Sequence, residues 1–241
     1  MSVASDLRVL WRLALAPIRG KTHAERLESF YSAQAKDYDV FRKRLLHGRQ
    51  ELLDRVPHDV GQVWLDMGGG TGANLDFMAK ALPAKKAVYL VDLSPSLLQV
   101  AAQRIEERGW KQVHTAEADA CTYEAPEPVD VVLFSYSLTM IPDWHAAILN
   151  ARRALKPGGR IAVVDFHVAH KYPAAERRRQ GWLGRWFWRL WFDRDNVWLS
   201  PDHLPFLERL FKKEVLEERR GKLPYLPLVR APYYLFVGRK A

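Results

Sequence analysis

The spacing of apolar residues changes character along the chain. From Ala24 to Val56, Leu27, Phe30, Tyr31, Tyr38, Phe41 and Leu45 recur at roughly helical intervals, which predicts a helical region there. After it come short apolar runs rich in β-branched and aromatic residues: "QVWLDM" (62–67), "AVYLVD" (87–92), "VHTAEAD" (113–119), "VDVVLFSYS" (129–137) and "RIAVVDF" (160–166). Such runs form strands buried on both faces. Helical stretches, "NLDFMAKAL", "PSLLQVAAQRIEERG" and "WHAAILNARRAL", separate them, and "KPGG" (156–159) reads as a turn that ends a helix and feeds the next strand. "EVLEERR" and "YYLFVGR" predict two last strands joined by the proline-containing loop "LPYLPLVRAP". Alternating strands and helices imply an α/β fold: a Rossmann-like, seven-stranded, mainly parallel sheet with helices on both faces and a C-terminal antiparallel hairpin.

Length and composition narrow the class. The 241 residues suffice for one such domain with an inserted or appended element. We expect an N-terminal basic amphipathic segment (1–23), a domain over 24–241 that opens with a helical lid (24–56), and a Trp/Arg-rich insertion (171–205). The 48% hydrophobic and 27% charged residues are those of an ordinary globular protein. No apolar run nears the roughly 18 residues of a membrane span. The single cysteine, Cys121, excludes a disulfide framework and a cysteine-rich metal site. His145 and His170 stand singly, so no metal is expected. A net charge of +9 favours an anionic partner. The expected location is cytoplasmic, peripheral at the inner membrane.

"LDMGGGTG" (65–72) closes the first sheet strand and opens a helix. Gly68, Gly70 and Gly72 allow positive φ and close approach of a ligand. Asp66 argues against a pyrophosphate, which it would repel, and for the ammonium of a methionine moiety beside a sulfonium. Asp92, ending the second strand, can accept both hydroxyls of a ribose, and Asp119 can accept from an adenine amino group. Leu93 and Ala120, next to these acids, and Ser135 at the end of the fourth strand complete the candidate cofactor set. Together the acids outline one extended ligand along the carboxyl edge of the sheet.

From these residues the chain resembles the class I S-adenosylmethionine-dependent methyltransferases from about Ala24 to its end. "FYSAQAKDYDVFRKRLLHGR" (30–49) and "FSYSLTMIPDW" (134–144) further resemble the N-methyltransferase of betaine-lipid synthesis. That resemblance implies three methylations of the amine of diacylglyceryl-homoserine, and makes the transferase that produces this lipid a candidate partner. A phosphatidylethanolamine or quinone methyltransferase is the nearest alternative.

Candidate catalytic residues are Tyr31 and Tyr38, seven apart on one helix face; Tyr136, after the fourth strand; and His167, after the fifth, as a proton acceptor. Arg42, Arg44 and Arg49 are candidates for a carboxylate or headgroup. "RRRQGWLGRWFWRLWFD" (177–193) combines arginines with a broad aromatic surface. As a helix it would place Arg178, Arg185 and Arg189 on one stripe, with Trp182, Trp186 and Trp191 elsewhere on its circumference. That pattern suits the interface of an anionic membrane. A nucleic-acid partner is not expected, because the chain offers no RNA-binding module and no Pro-Pro-aromatic motif after the fourth strand.

Overall fold

The computed structural model describes residues 20, 22, 25, 26, 28, 29, 44–193, 197–224 and 226–241. Tyr31, Tyr38 and Arg42, and the basic stretch with Arg8, Arg12 and Arg19, lie outside the described residues. In chain order the elements are α1 (Arg49–Asp54), β1 (Val63–Met67), α2 (Ala73–Phe77), β2 (Ala87–Asp92), α3 (Pro95–Arg108), β3 (Val113–Glu117) and β4 (Val129–Ser135). Then follow α4 (Trp144–Ala154), β5 (Leu155–Phe166), α5 (Trp182–Asp193), α6 (His203–Leu210), β6 (Lys212–Leu223) and β7 (Leu226–Arg239).

The seven strands form one sheet in the order β3-β2-β1-β4-β5-β7-β6. The first five are parallel, and β7 runs antiparallel to both β5 and β6. Every residue of β1 is buried, as a central strand covered on both faces requires. Two apolar clusters sandwich the sheet, one around Trp64, Leu75 and Leu235 and the other around Leu65, Phe134 and Ile148. The outer strand β6 is rich in Lys, Glu and Arg, and charge of this kind discourages further strand addition at an open edge.

Local chemistry explains the helix ends. In α3, Ser94 accepts from the Leu97 N–H, Pro95 takes the first turn and Gly109 closes the helix at φ 64°. In α4, Asp143 caps the Ala146 N–H.

Three expectations need correction. The region 24–56 is not one helix: residues 25, 26, 28 and 29 are helical, but residues 46–48 break the path before α1. Gly48, at φ 79°, restarts it as the residue before α1. The presumed loop 223–232 is mostly strand, since the hairpin pairs from Lys212↔Arg239 to Leu223↔Leu226. Prolines are tolerated there because β7 before Tyr233 has no ladder partner in β5 and pairs on one side only. "KPGG" is an irregularity within β5. Leu155 already pairs with Val129, Gly158 bulges at φ 77°, and pairing with β4 resumes at Arg160.

Candidate functional site

The loop after β1 turns back onto the end of β2. The N–H groups of Gly68 and Gly69 donate to the Val91 carbonyl at 2.8 and 3.1 Å. Gly68, Gly70 and Gly72 all adopt positive φ, at 71°, 56° and 71°. A Cβ on Gly68 would also lie 2.5 Å from Ser137 Cβ, so glycine is required there twice over. Asp92 clamps the loop from the next strand: its carboxylate accepts from the N–H of Gly70 at 2.8 Å and of Ser94 at 2.9 Å.

Beside this loop lies a cavity of about 220 Å³. Gly68, Gly70, Asp92 and Leu93 line one part of it, Asp119 and Ala120 another, and Tyr136, Ser137 and Met140 a third. Sequence reasoning had placed six of its cofactor candidates here, on three separate loops. Asp119 shapes its own loop, its carboxylate accepting from the Cys121 N–H at 2.8 Å. Burial and Asp119 push the Cys121 thiol up to about 12, so this cavity cysteine is no nucleophile.

Asp66, Gly72 and Ser135 stand behind the lining. Asp66 is buried, and one carboxylate oxygen accepts from Asn74 Nδ2 at 3.0 Å. Ser135 Oγ donates to Asn74 Oδ1 at 3.1 Å, so Ser135 positions the residue that holds Asp66. The other Asp66 oxygen is buried with no hydrogen-bond partner. Burial raises the Asp66 pKa to about 7; Asn74 opposes that rise, Asp92 adds to it and Arg49 opposes it. A buried acceptor left without a donor is expensive unless a ligand supplies one. The ammonium of a methionine moiety fits that position, and the arrangement of acids fits the rest of S-adenosylmethionine. Asn74 was missed in the sequence; its only signal was its place in the first turn after the glycine loop.

Arg49 is buried at the start of α1, its guanidinium 4.9 Å from the centre of the Phe77 ring, and it acts electrostatically on Asp66. Of the two described arginines named from the sequence, Arg49 is the one close to Asp66; Arg44 is exposed. Glu28 accepts from Ser94 Oγ at 2.7 Å and also from Ser96, which brings the N-terminal helical residues to the Asp92 side of the site.

Two catalytic candidates do other work. The Tyr136 hydroxyl donates to the His47 carbonyl at 2.7 Å, so it anchors the break before α1 while the residue also lines the cavity. Its backbone, at φ 57°, turns the chain at the end of β4, and burial holds the phenol well above its ordinary pKa. His167 does not line the cavity. It is buried against Tyr234, with Nε2 3.5 Å from Glu218, and burial with Arg177 nearby lowers its pKa to about 4. A histidine held neutral in the packing between hairpin and α6 is structural. Asp165 is buried too, accepting from Thr139 N–H and Oγ1 at 3.1 and 2.7 Å, which fastens the turn Leu138–Met140 at the cavity wall.

The aromatic segment divides into two faces. Trp188 and Phe192 of α5 are buried; the Phe192 ring lies 4.5 Å from that of Phe166, and Phe166 lies 4.6 Å from Tyr136. One side of α5 therefore backs the cavity wall. Arg178 precedes the helix and is not part of its stripe, whereas Arg185 and Arg189 are.

Known proteins share this geometry in part. Residues 65–161 match the model of a methyltransferase domain. The ubiquinone/menaquinone biosynthesis C-methyltransferase of Vibrio campbellii is 32% identical over 146 residues, which cover 58% of this chain and 56% of that protein. The chain thus spans little more than half the length of such curated relatives. Phosphoethanolamine N-methyltransferase 2 of Haemonchus contortus, solved with S-adenosyl-L-methionine, superposes with a TM-score of 0.69 at 18% identity, covering 93% of this chain and 61% of that one. A putative methyltransferase of Bacillus halodurans gives 0.64 at 21% identity, covering 80% and 98%. At these identities the structures speak for the fold alone. The glycine loop, the acids on successive strand ends and the matched domain support an S-adenosylmethionine-dependent methyltransferase.

Proposed function

We propose that the methyl acceptor is the amine of a lipid-linked homoserine, diacylglyceryl-homoserine, taken through three methylations to diacylglyceryl-N,N,N-trimethylhomoserine. The observation that carries this reading is the sign of the cavity. Asp92, Asp119 and Asp143 line it, and among the described lining residues there is no Lys, Arg or His. A cluster of carboxylates concentrates cations, and here both reactants carry one: a sulfonium on the methyl donor and an ammonium on the acceptor.

The chemistry asks little else of the chain. An amine that has lost its proton to water attacks in line; the nitrogen–carbon bond forms as the sulfur–carbon bond breaks, and the positive charge passes from sulfur to nitrogen. Proximity and alignment supply most of the acceleration in such a displacement. The structural role of His167 agrees with a reaction that requires no histidine base. The motifs at 30–49 and 134–144 support the same acceptor by resemblance.

A second reading, methylation of a quinone-precursor ring carbon, is favoured by the Vibrio campbellii relative. A phenolic acceptor must lose its hydroxyl proton as carbon attacks, so it benefits from a base that the described lining offers only as carboxylates. Lipid extracts separate the two. Cells that express the protein and are supplied with the homoserine lipid should accumulate its trimethylated form; methylated quinone or phosphatidylethanolamine instead would overturn the assignment.

A further inference from the structure

The face of α5 turned away from the protein is apolar. Trp182, Leu183, Trp186 and Leu190 are 66%, 66%, 65% and 58% exposed, and Phe187 and Trp191 complete the same arc. Trp188 and Phe192, on the opposite side, are buried. At about 100° per residue the six outward side chains fill one half of the helix circumference and the buried pair the other. Allowing roughly 200–250 Å² for a large aromatic side chain, the arc leaves on the order of 600 Å² of apolar surface in water, at or above the largest patch of an ordinary monomer.

Arg185 and Arg189 lie along one edge of this arc. With Lys171 they line a groove of about 620 Å³, closed on its other side by Trp198. Basic residues beside exposed tryptophans complement a surface that is apolar within and anionic at its face. A second copy of this chain would not satisfy the same edge, because apposed arcs bring like-charged arginines together. A nucleic acid would leave the leucines without partners.

We propose that α5 docks the protein on an anionic phospholipid bilayer, with Trp182, Trp186 and Trp191 in the interfacial layer and Arg185 and Arg189 on lipid phosphates. Docking there bears on the site. The Trp198 backbone N–H donates to the Thr139 carbonyl at 2.8 Å, next to Met140 of the cavity wall, and Phe192 reaches the same wall through Phe166. The helix holds the cavity close to the membrane plane, so an acceptor anchored by acyl chains need not leave it.

The test is sedimentation of the full-length chain with vesicles that contain no methyl acceptor, so the result stands apart from the acceptor assignment. Wild type should bind phosphatidylglycerol-containing vesicles and much less to pure phosphatidylcholine. The W182S/W186S/W191S variant should lose at least about tenfold in partitioning, in proportion to the apolar area removed. R185Q/R189Q should lose about fivefold per arginine and most of the salt dependence. S-adenosylmethionine affinity, measured by calorimetry on both variants, should be unchanged, showing that they fold. Unaltered sedimentation of the tryptophan variant, equal wild-type binding to both vesicle types, or a wild-type dimer that the tryptophan variant dissociates would each overturn the proposal.

Discussion

Replacing Asp66 by Asn should strengthen the fold while destroying the methyl-donor site. Burial raises the Asp66 pKa from 3.8 to about 7, so above pH 7 the folded protein holds a carboxylate charge that the unfolded chain carries more cheaply. The sign follows from the raised value: stability falls as pH climbs from about 4 to about 7 and is level above that. Three units at 1.36 kcal/mol each set a ceiling of about 4 kcal/mol on the cost of the charge at pH 8. Asn keeps the shape and can still accept from Asn74, but its amide now points into the place of the unpartnered oxygen, at a cost of about 1–3 kcal/mol. D66N should therefore be more stable than wild type by about 1–3 kcal/mol at pH 8, and near pH 4, where wild type no longer carries the charge, it should be less stable by about 1–3 kcal/mol. Asp165, also raised to about 7, contributes the same slope to both proteins, so the difference between them isolates Asp66. Urea unfolding at the two pH values measures this, and calorimetry with S-adenosylmethionine should show a loss of at least about 3 kcal/mol in D66N, as expected for removing one partner of a buried ion pair. A D66N protein no more stable than wild type at pH 8, or one that still binds the cofactor well, would refute the reasoning.

Further outcomes follow from the same geometry. In wild type, S-adenosylmethionine affinity should fall about tenfold per unit as pH drops below 7, where Asp66 becomes neutral, and calorimetry in buffers of different ionisation enthalpy should register proton release on binding at pH 6. D92A should weaken binding by at least about tenfold through loss of both its ligand contacts and its clamp on Gly70, whereas unchanged affinity would sink the site. G68A should cost about 2–5 kcal/mol in thermal or urea unfolding, from positive φ and from contact with Ser137, and should abolish cofactor binding. H167N should lower stability but leave the pH profile of methyl transfer unmoved; a shifted profile would return His167 to the catalytic set.

What the sequence disclosed depended on how local each signal was. β2 was read to its exact ends because Ala87–Asp92 is a short apolar run closed by an acid. The Ser94-Pro95 start and Gly109 stop of α3 are likewise written in adjacent residues. Asp92 and Asp119, which line the cavity, were legible as candidates because each sits at or just beyond the end of its strand. The failures all involve partners far along the chain. That the Tyr136 hydroxyl is held by His47, 89 residues away, is not visible in "FSYS". His167 looked like an available base until Tyr234 and Glu218 closed around it. Prolines 227 and 232 suggested a loop because nothing local shows that β5 has already left that stretch of β7. In α5 the composition was evident, but only packing separates Trp188 and Phe192, which brace the site, from the tryptophans that face outward.

Methyl transfer by the purified protein tests the central claim most directly. With methyl-labelled S-adenosylmethionine and diacylglyceryl-homoserine presented in anionic vesicles, mass spectrometry should follow one, two and then three methyl groups onto the homoserine nitrogen, and D92A should show none of them. Label that reaches a quinone precursor or phosphatidylethanolamine in a matched assay, and never the homoserine lipid, would contradict the account.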